Sequence, residues 1–134
     1  MIKIIKNSID VGLVTKDCQQ ALKFYRDTLG LEYDGELAIP GGVMQRVKCG
    51  GSVIKLVELK RPPRSEDDGG GLQGSTGYRY MTITVENLSE ILTTCEDAGY
   101  KVAMPKTEIR AGVSIGFVED PDGNWLEFVE VASE

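Results

Sequence analysis

The sequence contains no histidine. Imidazole is the commonest general base near neutral pH and the commonest transition-metal ligand, so a serine–histidine triad and any imidazole-ligated metal are excluded within one chain. Cysteine is scarce: Cys18, Cys49 and Cys95 are an odd number without metal-type spacing. They suit reduced, half-buried thiols in a reducing compartment better than a disulfide framework. No stretch approaches the roughly 18 apolar residues that would span a bilayer. The opening MIKIIKNSID lacks the continuous apolar core and small-residue cleavage site of a secretion signal, so a cytoplasmic protein is expected. Positive charge is also in deficit, with 15 Lys and Arg against 21 Asp and Glu, a net charge of −6. Such a balance repels a phosphate backbone, and no basic run interleaved with aromatics offsets it; nucleic acid and membrane are not expected partners.

What remains is an ordinary globular composition, 41% hydrophobic and 27% charged over 134 residues. A chain of this size buries roughly two thirds of its unfolded surface, enough for a core without staples. Its main feature is an internal repeat. Val11-Gly-Leu-Val-Thr-Lys-Asp17 superposes on Met81-Thr-Ile-Thr-Val-Glu-Asn87 at an offset of about 70 residues. Each segment alternates as a strand and then meets a helix start, Asp17 with Gln20 and Asn87 with Glu90, at capping-box spacing. Apolar stripes follow, Ala21, Leu22, Tyr25 and Leu29 in the first helix and Leu88, Ile91, Leu92 and Cys95 in the second, and Gly30 and Gly99 end them.

Three further strands are predicted after each helix, at 31–35, 43–49 and 52–59, then 101–105, 113–119 and 125–131. Gly50-Gly51 and Asp120-Pro121-Asp122-Gly123 mark hairpin turns. The pattern is βαβββ twice: an α+β fold of two tandem modules, 8–60 and 77–131, forming one domain over 1–134. The connector 61–76 has glycines, prolines and no periodicity, and is either a plain linker or a segment able to close over a site. The expected architecture is a curved mixed sheet, cup-shaped, with the helices outside.

Strand alternation assigns the residues opposite the helix-covered faces to the concave side. These are Asp10, Gly12 and Val14; Val53, Lys55 and Val57; Tyr78, Tyr80, Thr82 and Thr84; and Trp125, Glu127 and Val129. Mostly apolar walls with a few polar groups have the character of a small-molecule site. The repeat makes Asp10 the counterpart of Tyr80, and Lys55 that of Glu127. These four are the candidate catalytic residues, since an acid, an ammonium, a phenol and a second acid gathered together shift one another's proton affinities. The structural alternative is that Lys55 merely neutralises Asp10 or Glu127. Trp125, Tyr78, Thr82, Val53, Val57 and Arg110 are the candidate substrate-binding residues. Arg110, in the segment Glu108–Gly112, is placed to clamp a carboxylate or simply to lie exposed in a loop. Arg79 falls on the helix side by alternation and reads as structural.

These residues resemble the vicinal oxygen chelate superfamily, the group of glyoxalases, bleomycin resistance proteins and extradiol dioxygenases. The resemblance spans Ile9 to Val131. It rests on Asp17 to Gly30, with the run Phe24-Tyr25-Arg26-Asp27-Thr28-Leu29-Gly30-Leu31, on Asp120-Pro121-Asp122-Gly123-Asn124, and on Glu127. It implies four divalent-metal ligands at the positions held here by Asp10, Lys55, Tyr80 and Glu127. A charged ammonium has no lone pair and a neutral phenol is a poor ligand, so no metal and no cofactor are expected. Two functions follow. In one, a metal-independent lyase or isomerase uses Glu127 or Asp10 as base and Lys55 or Tyr80 to steady the developing oxyanion. In the other, the pocket only binds, with Trp125, Tyr78 and Tyr80 stacking on a planar ligand, as in family members that confer antibiotic resistance by sequestration. A metal-dependent glyoxalase-like lyase or dioxygenase is the third possibility. A homodimer is expected, since members of the family build their sites within one chain or across two.

Overall fold

A computed structural model describes residues 1–67 and 69–133; Asp68, in the expected connector, and Glu134 lie outside them. The chain divides into two compact units, Met1–Ser65 and Glu66–Glu134, with the division falling inside the connector.

In the first unit, β1 (Val11–Val14) leads into α1 (Cys18–Leu22), followed by β2 (Glu32–Ile39), β3 (Gly42–Cys49) and β4 (Ser52–Leu59). The sheet order is β1-β4-β3-β2, with β1 parallel to β4 and the other pairs antiparallel. The second unit repeats this: β5 (Tyr80–Thr84), α2 (Leu88–Asp97), β6 (Val102–Arg110), β7 (Val113–Glu119) and β8 (Trp125–Val131), in the order β5-β8-β7-β6 with β5 parallel to β8. Two βαβββ modules, each with a four-stranded mixed sheet, are therefore present. No helix of the described residues is long and apolar enough to cross a membrane.

Each core lies between helix and sheet. Ala21, Leu22, Phe24 and Tyr25 with Val47, Ile54 and Leu56 are among the nearly or fully buried residues of the first unit; Leu88, Leu92 and Cys95 with Val118, Leu126 and Phe128 are among those of the second. After Leu22 the first helix widens over Lys23–Thr28, where Leu29 N–H reaches back five residues to the Phe24 carbonyl at 2.9 Å. This π-type turn lies where two consecutive aromatics, Phe24 and Tyr25, both enter the core, packed edge-on at 4.8 Å. In the second unit α2 approaches β7 at Gly116, where a β-carbon would stand 2.8 Å from Leu92.

The helix starts depart from the expected capping boxes. Asp17 caps α1, accepting from Gln19 N–H (2.9 Å) and Gln20 N–H, but the Asp17 N–H is taken by Thr15 Oγ1. Asn87 makes no side-chain cap; its amide donates to Glu90 instead. Carboxylates from the last strand of each module complete the helix ends: Glu58 accepts from Cys18 N–H at 2.8 Å, and Glu130 from Leu88 N–H at 3.3 Å. A negative charge is favourable there because a helix N-terminus has unpaired N–H groups and a positive dipole end.

Two strands are longer than predicted. β2 passes Gly35, whose positive φ of 97° accommodates a register shift between Tyr33 and Glu36, and continues to Ile39. β6 continues to Arg110, which pairs with Val113 and is thus a strand end rather than a loop residue.

Candidate functional site

In the second unit, register places Tyr80 beside Trp125, Thr82 beside Glu127, and Phe117 beside Glu127 on its other flank. All face away from α2. Thr82 Oγ1 donates to Glu127 Oε1 at 2.7 Å, which fixes one carboxylate oxygen of a half-buried acid. Phe117, 2% exposed, packs edge-on against Tyr80 at 5.5 Å and tilted, at 49°, against Trp125 at 5.1 Å. Trp125 Nε1 donates to Glu119 Oε1 at 3.0 Å. The Asp120–Asn124 turn holds this register: Asp120 Oδ1 accepts from the N–H groups of Asp122 and Asn124 at 2.9 and 2.8 Å, and its Oδ2 accepts from the Asn124 side chain. The buried aspartate of the motif is thus a hairpin lock, with its acceptors satisfied locally.

The connector lies on this face too. Gly71 is buried, and a β-carbon there would stand 2.2 Å from the Trp125 indole. Arg79 secures the segment, donating to the carbonyls of Gly71 (2.8 Å) and Gly69 and to Ser75 Oγ (3.0 Å), with Asp67 at 3.4 Å. Arg79 is structural, as expected, but it precedes β5 and ties down the connector instead of facing the helix. One face of Trp125 is therefore covered by backbone. Tyr78 also precedes β5 and is fully exposed, so strand alternation does not govern it.

In the first unit, Asp10 lies just before β1. Its Oδ1 accepts from Lys6 Nζ at 2.7 Å and Val53 N–H at 2.8 Å, and these two bonds hold the carboxyl below the usual aspartate range. The alternative of a close Lys55–Asp10 ion pair is not realised: Lys6 pairs with Asp10 at 2.7 Å, and Lys55, which makes no ion pair within 4 Å among the described residues, acts on Asp10 only as a more distant charge that helps lower it. Lys55 is half-buried between Val53 and Val57 on its strand, opposite Gly12 on β1 and Arg46 on β3. Arg46 was absent from the sequence-derived candidates. Counting back across the Gly50-Gly51 turn places it opposite Lys55, so the signal was available. Arg110 is exposed at the end of β6.

The donor set suits a metal poorly. Lys55 offers no lone pair, Asp10 Oδ1 is engaged twice, and no three Cys, Asp or Glu side chains gather to hold an ion among the described residues. Burial raises the Cys49 thiol and pushes Cys95 up to about 11, far from a nucleophilic thiolate at neutral pH.

Comparison with known proteins agrees with this architecture. The family model described as Glyoxalase/Bleomycin resistance protein/Dioxygenase superfamily matches residues 8–128. A probable lactoylglutathione lyase from Synechocystis sp. is 26% identical over 122 residues, covering 88% of this chain and 90% of that protein. Among solved structures, a glyoxalase family protein from Bacillus cereus superposes with a TM-score of 0.82 at 16% identity, over 98% of this chain and 100% of the other. A glyoxalase I mutant from Zea mays gives 0.76 at 18% identity, covering 92% of this chain and 44% of the maize chain. With the family match across both modules and the fold shared with glyoxalase structures, the chain belongs to the glyoxalase/bleomycin resistance protein/dioxygenase superfamily.

Proposed function

We propose that the protein is a metal-independent lyase or isomerase acting on a small carbonyl compound, with Glu127 as the base. The observation that carries this is the 2.7 Å bond from Thr82 to Glu127, which orients the carboxylate on a face that also presents Tyr80. Asp10 is the weaker candidate because its bonds to Lys6 and Val53 favour the ionised, poorly basic form. Glu127 takes the proton from the carbon next to the carbonyl, and the C–H electron pair moves to form an enolate. The Tyr80 hydroxyl donates to the developing oxyanion. Proton return at a neighbouring carbon completes an isomerisation; expulsion of a leaving group with the bonding pair completes an elimination. The name of the Synechocystis relative supports the lyase class.

Solvent exchange tests this directly. In deuterium oxide, the protein is expected to exchange the α-protons of small hydroxy-carbonyl compounds, followed by NMR, and lactoylglutathione should be assayed alongside. Glu127→Gln is expected to lower exchange by about 10²- to 10⁴-fold while retaining binding. Unchanged exchange in the variant removes Glu127 as the base. Saturable binding without exchange in the wild type points to a sequestering protein. Metal independence is checked by elemental analysis and by activity after chelation, both expected to show no requirement. We further propose a cytoplasmic homodimer, supported by an odd number of cysteines, three, and by the edge strands of each sheet, with sedimentation as the check of the dimer.

A further inference from the structure

The face of the first sheet away from α1 carries two adjacent cations. Arg46 and Lys55 are directly opposite each other on antiparallel strands. Residues so paired hold their β-carbons about 5 Å apart, where like charges repel. Arg46 has one long contact, Nε to Asp34 Oδ2 at 3.4 Å, and Asp34 is shared with Lys48 at 3.7 Å. The Asp10 carboxylate is committed to Lys6 and to the Val53 N–H. Lys55 has no ion pair among the described residues, and the next position in the row is Gly12, where a β-carbon would meet nothing within 4 Å. Two half-buried cations therefore border open space, with Val53 and Val57 flanking Lys55.

We propose that the row Gly12–Lys55–Arg46 binds the carboxylate of a small organic acid. The planar guanidinium takes two carboxylate oxygens, the ammonium adds a charge-assisted bond, and the valines accept a short hydrocarbon body. The valines beside Lys55 give the hydrocarbon body of an organic acid an apolar contact that inorganic phosphate cannot make, which favours the carboxylate. The site needs no proton transfer by Glu127, so it stands or falls separately from the catalytic reading.

Calorimetric titration of the full chain with pyruvate, benzoate and inorganic phosphate tests it. Saturable carboxylate binding that weakens with added salt is expected, with phosphate weaker. Arg46→Gln and Lys55→Met should each weaken carboxylate binding about ten-fold or more. Lys23→Gln, an exposed cation in the Lys23–Thr28 turn on the helix side of the unit, should leave it unchanged. All variants should melt cooperatively, because the substituted side chains lie off the helix-facing core. The proposal is overturned by absence of carboxylate binding to the wild type, by binding indifferent to both Arg46→Gln and Lys55→Met, or by phosphate binding as tightly as carboxylate.

Discussion

The rows Gly12–Lys55–Arg46 and Thr82–Glu127–Phe117 occupy the same three places in the same topology, yet their chemistry is opposite. In the first unit the open face carries two neighbouring cations and a gap. In the second, the central acid is bonded to a threonine and flanked by a buried aromatic. Repetition has been kept on the helix-facing side, where Ile54 and Leu126, and Leu56 and Phe128, fill equivalent places in the two cores, and abandoned on the other. The difference separates a side constrained by packing from a side free to acquire function.

Truncating the two equivalent residues on the third strand gives the sharpest test. Phe117→Ala removes a ring 2% exposed and is expected to cost about 3–5 kcal/mol by urea denaturation. Arg46→Ala, which removes only a long surface-type ion pair, should stay within about 0.5 kcal/mol. Equal losses would break the contrast. The helix caps sharpen it on the conserved side. Glu58→Gln, losing a charged acceptor at 2.8 Å, should cost about 1.5 kcal/mol, and Glu130→Gln, at 3.3 Å, about 0.5 kcal/mol. The smallest effect is on acid stability. The Asp10 carboxyl is held below its ordinary value in the folded state, so its contribution is present above about pH 4 and is lost as pH falls through the lowered folded value. Lys6→Met should flatten that acid limb of thermal stability.

Much of the fold was legible because strand alternation, helix stripes and glycine turns each recur in both modules. The boundaries of β3, β4, β7 and β8 followed from those signals to within a residue, since hairpin turns fix both flanks. β2 and β6 ran past their predicted ends because Gly35 and Pro105 read locally as stops, while the neighbouring strand supplies a ladder that absorbs a bulge. The face occupied by Thr82, Trp125 and Glu127 was readable from parity alone. Side-chain engagement was not: that Lys6 takes Asp10, that Arg79 ties down the connector, and that Glu58 reaches the start of α1 depend on contacts at sequence separations of 4, 8 and 40 and on rotamers that periodicity does not encode.

The contact between Gly71 and Trp125 gives the protein its own optical gauge. The chain has a single tryptophan, and its indole is sandwiched between the connector backbone and Phe117, with its N–H bonded to Glu119. Lifting of the connector wets that ring and shifts its emission to longer wavelength, so intrinsic fluorescence follows one segment of one unit without a label. Any residue larger than glycine at position 71 would set the gauge permanently open, since its side chain and the indole cannot share the same space.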